Sequence, residues 1–188
     1  MDYLHQIELF ITANEQGTAD KNIILSFAKA YEQNVLLRDN AIAHITSSGF
    51  VMNKSLDKVL LVHHNIRNAW AWTGGHADGE SDFLSVALRE AQEETGVVNV
   101  SPLSQEIVSL DILPVFAHER KGIYVNSHLH LGVAYILICD ENEAIRPQLS
   151  ENTDVAWFDL SYFNENNFDS HDVYLYNKLI SRALKIGC

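Results

Sequence analysis

Cysteine, proline and basic residues are all scarce in this chain of 188 residues, and it has no long apolar run. Its two cysteines are Cys139, inside an apolar stretch, and Cys188 at the end, so no disulfide framework organises the fold. Three prolines and nine glycines leave no linker-like tract, and 188 residues suffice for one well-buried core but are few for two. One domain spanning 1–188 is therefore expected. Lysine and arginine number 13 against 25 acidic residues, a net charge of −12. Affinity for long nucleic acid rests on cations that neutralise phosphates, so that class of partner is not expected. No apolar stretch approaches the roughly 20 residues that cross a bilayer, and the N-terminus shows no basic region leading into an apolar one. The expectation is a cytoplasmic protein with no membrane partner.

What is present is an ordinary globular composition, 47% hydrophobic and 20% charged, with one distinctive stretch from Gly74 to Val97. A Gly-Gly turn follows Trp70-Ala71-Trp72, a helical pattern follows the turn, and Thr95-Gly96 ends it. Phe83, Val86, Ala87 and Ala91 form a stripe that can face a core. Positions three and four apart share a helix face, so Glu90, Glu93 and Glu94 crowd together near the helix C-terminus. Like charges there repel one another and the negative end of the helix dipole. Two readings follow: a solvated acidic face with Arg89 as its partner, or a seat for a hard divalent cation, which prefers oxygen ligands.

With its flanking glycines the segment resembles the Nudix box, G-x5-E-x7-R-E-U-x-E-E-x-G-U, where U is a bulky aliphatic residue. Anchored on Arg89-Glu90, the chain supplies Gly75, Arg89, Glu90, Glu93, Glu94, Gly96 and Val97 at matching spacing. Ser81 stands where the first Glu belongs, with Glu80 one residue earlier, and Ala91 replaces the aliphatic residue. Counting from Gly74 restores Glu80 but displaces the Arg-Glu pair by one; a one-residue shift between loop and helix reconciles the counts. More weakly, Leu60-Leu61-Val62, the run Leu131 to Cys139 and Val155 to Phe158 resemble the usual surroundings of the box.

The resemblance implies a Nudix-type α/β/α sandwich around a mixed sheet, with a core over 41–160. A helical extension over 1–36 precedes this core, and a helix over 169–186 follows it. In the extension, Leu4, Ile7, Phe10 and Ile11 recur at helical spacing, Glu15 to Thr18 breaks the pattern, and Ile23 to Tyr31 resumes it. This is an α-hairpin, with core packing or a dimer contact as uses for its apolar stripes. Strands are expected at 41–46, 50–53, 59–63, 97–100 and 155–158, the last preceded by Glu151. A further strand over 107–116 bends at Pro114, turns at Glu119 to Gly122, and returns over 123–139. Val173, Tyr176, Leu179, Ile180 and Ala183 mark the last helix, introduced by Asp169-Ser170.

By resemblance the activity is metal-dependent hydrolysis of the diphosphate linkage in a nucleoside diphosphate joined to another moiety, with Mg²⁺ or Mn²⁺ as cofactor. Glu90 and Glu94 become metal ligands, with Glu93 a further or water-bridged one and the carbonyl of Gly74 or Gly75 completing the shell. Arg89 orients a glutamate, and Arg89, Glu90 and Glu93 form the catalytic group. The general base stays open among Glu90, Glu151 and His130. A small phosphorylated substrate, probed by His128, His130, Trp72 and Glu151, is the expected partner, and homodimers are frequent among relatives. His128 and His130 share a strand face, with His118 across the hairpin. Two histidines so spaced suit a borderline metal, but nearby glutamates favour a substrate, acid-base or structural role. His63 and His64 are a surface feature or a contact to phosphate or base, and one of the tryptophans stacks on a base or packs internally. The alternative to an enzyme is a Nudix-fold module that binds a nucleotide without turning it over.

Overall fold

The computed structural model describes residues 3–120 and 122–187. Two sequence readings touch residues outside that range, the turn through Lys121 and the second cysteine, Cys188. Strands are β1 (Ala43–Asn53), β2 (Lys58–His64), β3 (Ala69–Ala71), β4 (Thr73–His76), β5 (Ser101–Pro102), β6 (Ser109–Val115), β7 (His118–Arg120), β8 (Ile123–Val125), β9 (His128–Cys139) and β10 (Asn152–Asp159). Helices are α1 (Tyr3–Leu9), α2 (Glu15–Ala30), α3 (Phe83–Thr95) and α4 (Ser170–Ile186).

The main sheet runs β10-β2-β1-β9-β5, with β3 joined to β2, β4 to β1 and β6 to β9. β1 and β9 are parallel and the other pairs antiparallel, so the sheet is mixed, as the resemblance implied. Both central strands are buried on two faces, which explains the apolar run from Leu131 to Cys139 in β9; β1 is as deeply buried but carries polar residues in its middle. On one face Ile45, Val51, Leu131, Val133, Tyr135 and Leu137 pack against Phe83, Ala87 and Ala91 of α3. Ile7 of α1 and Ile24 and Ala28 of α2 belong to that same core. On the other face Phe50, Met52, Leu61 and Ile136 pack against Tyr176, Leu179, Ile180 and Ala183 of α4. The result is an α/β/α sandwich.

Several local expectations shift, each for an identifiable reason. The break between α1 and α2 comes before Glu15, because the Asn14 side chain accepts from the Gly17 amide at 2.8 Å and starts α2 there. The two short strands over 41–53 are one strand, since Ser47 is fully buried and its hydroxyl donates to the Phe83 carbonyl at 2.6 Å, so a polar residue does not interrupt it. No strand forms over 97–100; there the backbone amides of Val98 and Asn99 donate to Glu143 instead. The return from the 107–116 strand divides in two. β7 and β8 form a separate hairpin, and β9 alone pairs with β6, opposite Pro114 at Leu129.

Gly96 ends α3 in the left-handed region at φ 74°. A Cβ there meets the Arg146 side chain. Gly96→Ala is expected to cost about 1–2 kcal/mol from the αL strain and that contact, read as a lowered melting temperature. An unchanged melting temperature would show that the αL conformation is not demanded.

Candidate active site

α3 delivers the acidic cluster. The Asp82 carboxylate caps its start, accepting from the Ser85 amide at 3.1 Å, and the stripe of Phe83, Val86, Ala87 and Ala91 is pinned beneath the sheet face. Helical period then turns Glu90 and Glu94 toward β4. Glu94 is only 4% exposed, Glu90 is half-buried and Glu93 lies at the surface. A Cβ on Gly75 would run into the Glu90 carboxylate, so glycine lets this side chain lie directly against the β4 backbone.

The electrostatics are those of carboxylates forced together. Burial, then the charges of Glu90 and Glu151, push the Glu94 carboxyl up to about 9, with the Gly74 amide opposing the rise by hydrogen bonding. Burial and Glu93 raise Glu90, with Arg89 opposing and Glu151 adding to the rise. Glu151, from the loop preceding β10, therefore joins the three helix glutamates. Among the described residues no lysine or arginine forms a salt bridge with Glu90, Glu93 or Glu94.

Arg89 is engaged elsewhere. Its guanidinium donates to Glu80 at 2.7 Å, tying the loop before α3 to the helix. Glu80 is thus the acid that meets the arginine, although Ser81 occupies the matching position in the count. Arg38, from the segment between α2 and β1, was not singled out in the sequence. It donates twice to Asp78, at 2.8 and 2.7 Å, and its charge reaches Glu90 and Glu151 as well as His44 and His130. Nothing in the spacing marks it, because it enters through the loop rather than the box.

His128 and His130 do come together, their Nε2 atoms 3.3 Å apart. Two further histidines join them. The His44 ring lies 4.9 Å from His76, 4.9 Å from His128 and 5.1 Å from His130, centroid to centroid. Burial and the neighbouring imidazoles lower the His130 pKa to about 3, and burial lowers His44, so both are neutral near pH 7. His118 lies on the β7–β8 hairpin with Nδ1 facing the Phe116 carbonyl at 2.9 Å. Trp72 packs edge-on to Tyr176 of α4, 5.1 Å between centroids, with the core on that face. The structure therefore groups Glu90, Glu93, Glu94 and Glu151, and separately His128 and His130, while Trp72 sits with α4. His63 meets Thr153 through Nδ1 at 2.7 Å, and His64 Nδ1 accepts from the Ile66 and Arg67 amides at the strand end. A cavity of about 460 Å³ lies elsewhere, between α2, β6 and α4, with Asp20, Asp111 and Tyr174 in its wall.

The residues fit a hard divalent cation. The carboxyls of Glu90 and Glu94 are both raised by burial and by neighbouring glutamates, no lysine or arginine among the described residues is salt-bridged to either, and the glycine backbone leaves a cradle that a Cβ would fill. Such donors suit Mg²⁺ or Mn²⁺ better than a soft metal. Among the described residues, no helix is long and apolar enough to cross a membrane.

The chain is 26% identical over 143 residues to a probable DHNTP pyrophosphohydrolase of Lactococcus lactis subsp. cremoris, covering 76% of this chain and 81% of that one. Its fold is similar to a NUDIX-family hydrolase from Clostridium perfringens, with TM-score 0.51 and 24% identity over 73% of this chain and 96% of the other. It is similar also to an Ap4A hydrolase of C. elegans, with TM-score 0.51 and 15% identity over 75% and 98%. The NUDIX domain model matches residues 43–179, a span that takes in α3, its glycine loop and every strand of the sheet, and the chain accordingly belongs to the Nudix family.

Proposed function

We propose that this Nudix pyrophosphohydrolase acts in the cytoplasm, as a single domain, on a small nucleotide-like substrate. It hydrolyses the diphosphate linkage of a nucleoside diphosphate joined to another moiety, with Mg²⁺ or Mn²⁺ as cofactor. The observation that carries the reading is the convergence of Glu90, Glu93, Glu94 and Glu151 on one glycine-lined patch with no arginine or lysine salt-bridged to the three helix glutamates. Glu90, Glu94, Glu93 and the Gly75 carbonyl would hold the cation, which supplies charge stabilisation for the phosphoryl oxygens and acidifies bound water.

The remaining work belongs to the chain. Water attacks phosphorus, the bridging P–O bond breaks, and the departing phosphate takes that oxygen. Glu151, outside the rigid helix yet close enough to perturb Glu90 and Glu94, is the base that removes the proton from water. Arg89 acts by position: its bond to Glu80 fixes the loop that ends at the Asp82 cap, and with it the helix bearing the glutamates. Arg38, with 45% of its side chain exposed, supplies the cationic contact for a substrate phosphate. His128 and His130, neighbours of Arg38 through His44, lie where the remainder of the substrate would extend.

Phosphate or nucleotide release is the test. The panel is DHNTP, nucleoside triphosphates, ADP-ribose, NADH, dinucleoside polyphosphates including Ap4A, and sugar nucleotides, each with Mg²⁺ or Mn²⁺. Turnover of at least one compound, abolished by EDTA, is expected. Binding without turnover throughout the panel would make the chain a nucleotide-recognition module.

A further inference from the structure

We propose that His44, His76 and His130 form a second metal site, on the sheet face opposite α3, that takes a borderline transition-metal ion, Zn²⁺ foremost. Ring nitrogens of these three residues all lie within 4.8 Å of one another. Bonds of about 2.0–2.1 Å at a tetrahedral angle place ligand nitrogens about 3.3 Å apart, so contraction on the order of 1 Å completes the set. His128 is the natural fourth member, since its Nε2 already stands 3.3 Å from Nε2 of His130.

Strand register explains why histidines so distant in sequence converge. His44 of β1 is the parallel partner of His130 on β9, and His76 of β4 is opposite Thr46, two residues along β1 from His44. Alternation places all of them on one face. The intervening residues define the other face: Ser47 reaches the Phe83 carbonyl of α3, and its partner Gly75 abuts Glu90. The imidazoles and the carboxylates thus meet these strands from opposite faces, while the charge of Arg38 reaches both groups.

Two details mark a prepared site rather than a chance grouping. His44 Nδ1 faces the Asn40 carbonyl at 3.0 Å and His128 Nδ1 faces the Asn126 carbonyl at 2.8 Å, and such bonds make Nδ1 the donor and leave Nε2 with a bare lone pair. The Nε2 atom of His44 is buried and has no hydrogen-bond partner. An orphaned polar atom of this kind is normally explained by something that binds it. Three or four imidazoles with no carboxylate among them suit Zn²⁺, Ni²⁺ or Cu²⁺ and disfavour Mg²⁺. Because His76 directly follows Gly75, an ion there would clamp β1, β4 and β9 and stiffen the glycine loop facing Glu90.

The test is metal binding and needs no turnover, so it stands apart from the hydrolase reading. Protein stripped with EDTA is returned to millimolar Mg²⁺, which occupies carboxylates in preference to imidazoles, and is titrated with Zn²⁺ by calorimetry. One Zn²⁺ per chain is expected, unchanged in Glu90→Gln. His44→Ala and His130→Gln should weaken it by at least about 100-fold, beyond the range that loss of a supporting contact alone produces. Co²⁺ provides a readout that survives a poorly folding variant: in the unsubstituted protein it should give the intense visible bands of a tetrahedral nitrogen-ligated ion. Pale octahedral Co²⁺, uptake only at millimolar Zn²⁺, or binding that persists in both histidine variants and vanishes in Glu90→Gln would each overturn the site.

Discussion

Glu94→Gln is expected to lower kcat by at least about 100-fold while leaving the fold intact, since removing one preorganised charge-stabilising group at a reacting centre typically costs on the order of 10²–10³. The substitution keeps shape and volume, and a glutamine oxygen can still accept from the Gly74 amide that faces this side chain. It removes the ability to carry a full negative charge at a position only 4% exposed, where no surface residue can take over. Circular dichroism and melting in EDTA check the fold; initial rates at saturating Mg²⁺ check the activity. Glu93→Gln should do less, because Glu93 is at the surface and water screens its charge. A Glu94→Gln enzyme as fast as the parent would remove this residue from the catalytic group.

The box was legible because its chemistry is local. Seven positions in one frame report a loop, a helix and a cap, and the ambiguity over Ser81 resolves in the bond between Arg89 and Glu80. A long arginine side chain tolerates a one-residue slip in the loop that a fixed count does not. The layer of α4 was equally readable, since Tyr176, Leu179, Ile180 and Ala183 recur at helical period and all are buried. The antiparallel return of β9 onto β6 was readable, but contacts between strands distant in sequence were not. That His44 would lie beside His130 depends on a parallel register between β1 and β9, and periodicity within one strand carries no information about which strand is its neighbour. His76 was hidden by its neighbours, as the two glycines before it drew the functional reading toward α3. Trp72 alternates with alanines in a way that leaves packing and stacking equally open, and only the approach of Tyr176 decides that it packs against α4. Arg38 belongs to a stretch that the shared pattern does not cover, and its proximity to Glu90 and Glu151 arises from the path of the chain between α2 and β1.

The metal-free protein should lose stability as pH rises, and Glu94→Gln should abolish most of that loss. The folded-state pKa of Glu94 is about 9 against the ordinary carboxyl value of 4.5 in the unfolded chain, so between these values the folded state holds a proton that the unfolded state has released. Stability changes with pH in proportion to protons bound unfolded minus protons bound folded, a negative quantity here, so stability falls across the window from about 4.5 to about 9. Each pH unit of displacement corresponds to about 1.36 kcal/mol, and relaxation of the site reduces the whole to a few kcal/mol. His44 and His130 act with the opposite sign, being held neutral when folded and charging below pH 6.5 only when unfolded, so they penalise acid and not base. Comparison with Glu94→Gln at each pH cancels their contribution. In EDTA at pH 8.5 the variant should melt roughly 5–10 °C above the parent, at about 2–4 °C per kcal/mol for a chain of this size, while at pH 5 the two should nearly coincide. Millimolar Mg²⁺ at pH 8.5 should close the gap by raising the parent more than the variant, because a ligand of the ionised carboxylate stabilises only the state that presents it. Parallel melting curves for parent and variant across pH 5–8.5 would mean that Glu94 is ionised without a cation, and the absence of a salt-bridge partner would then have to be offset by solvent reaching the site.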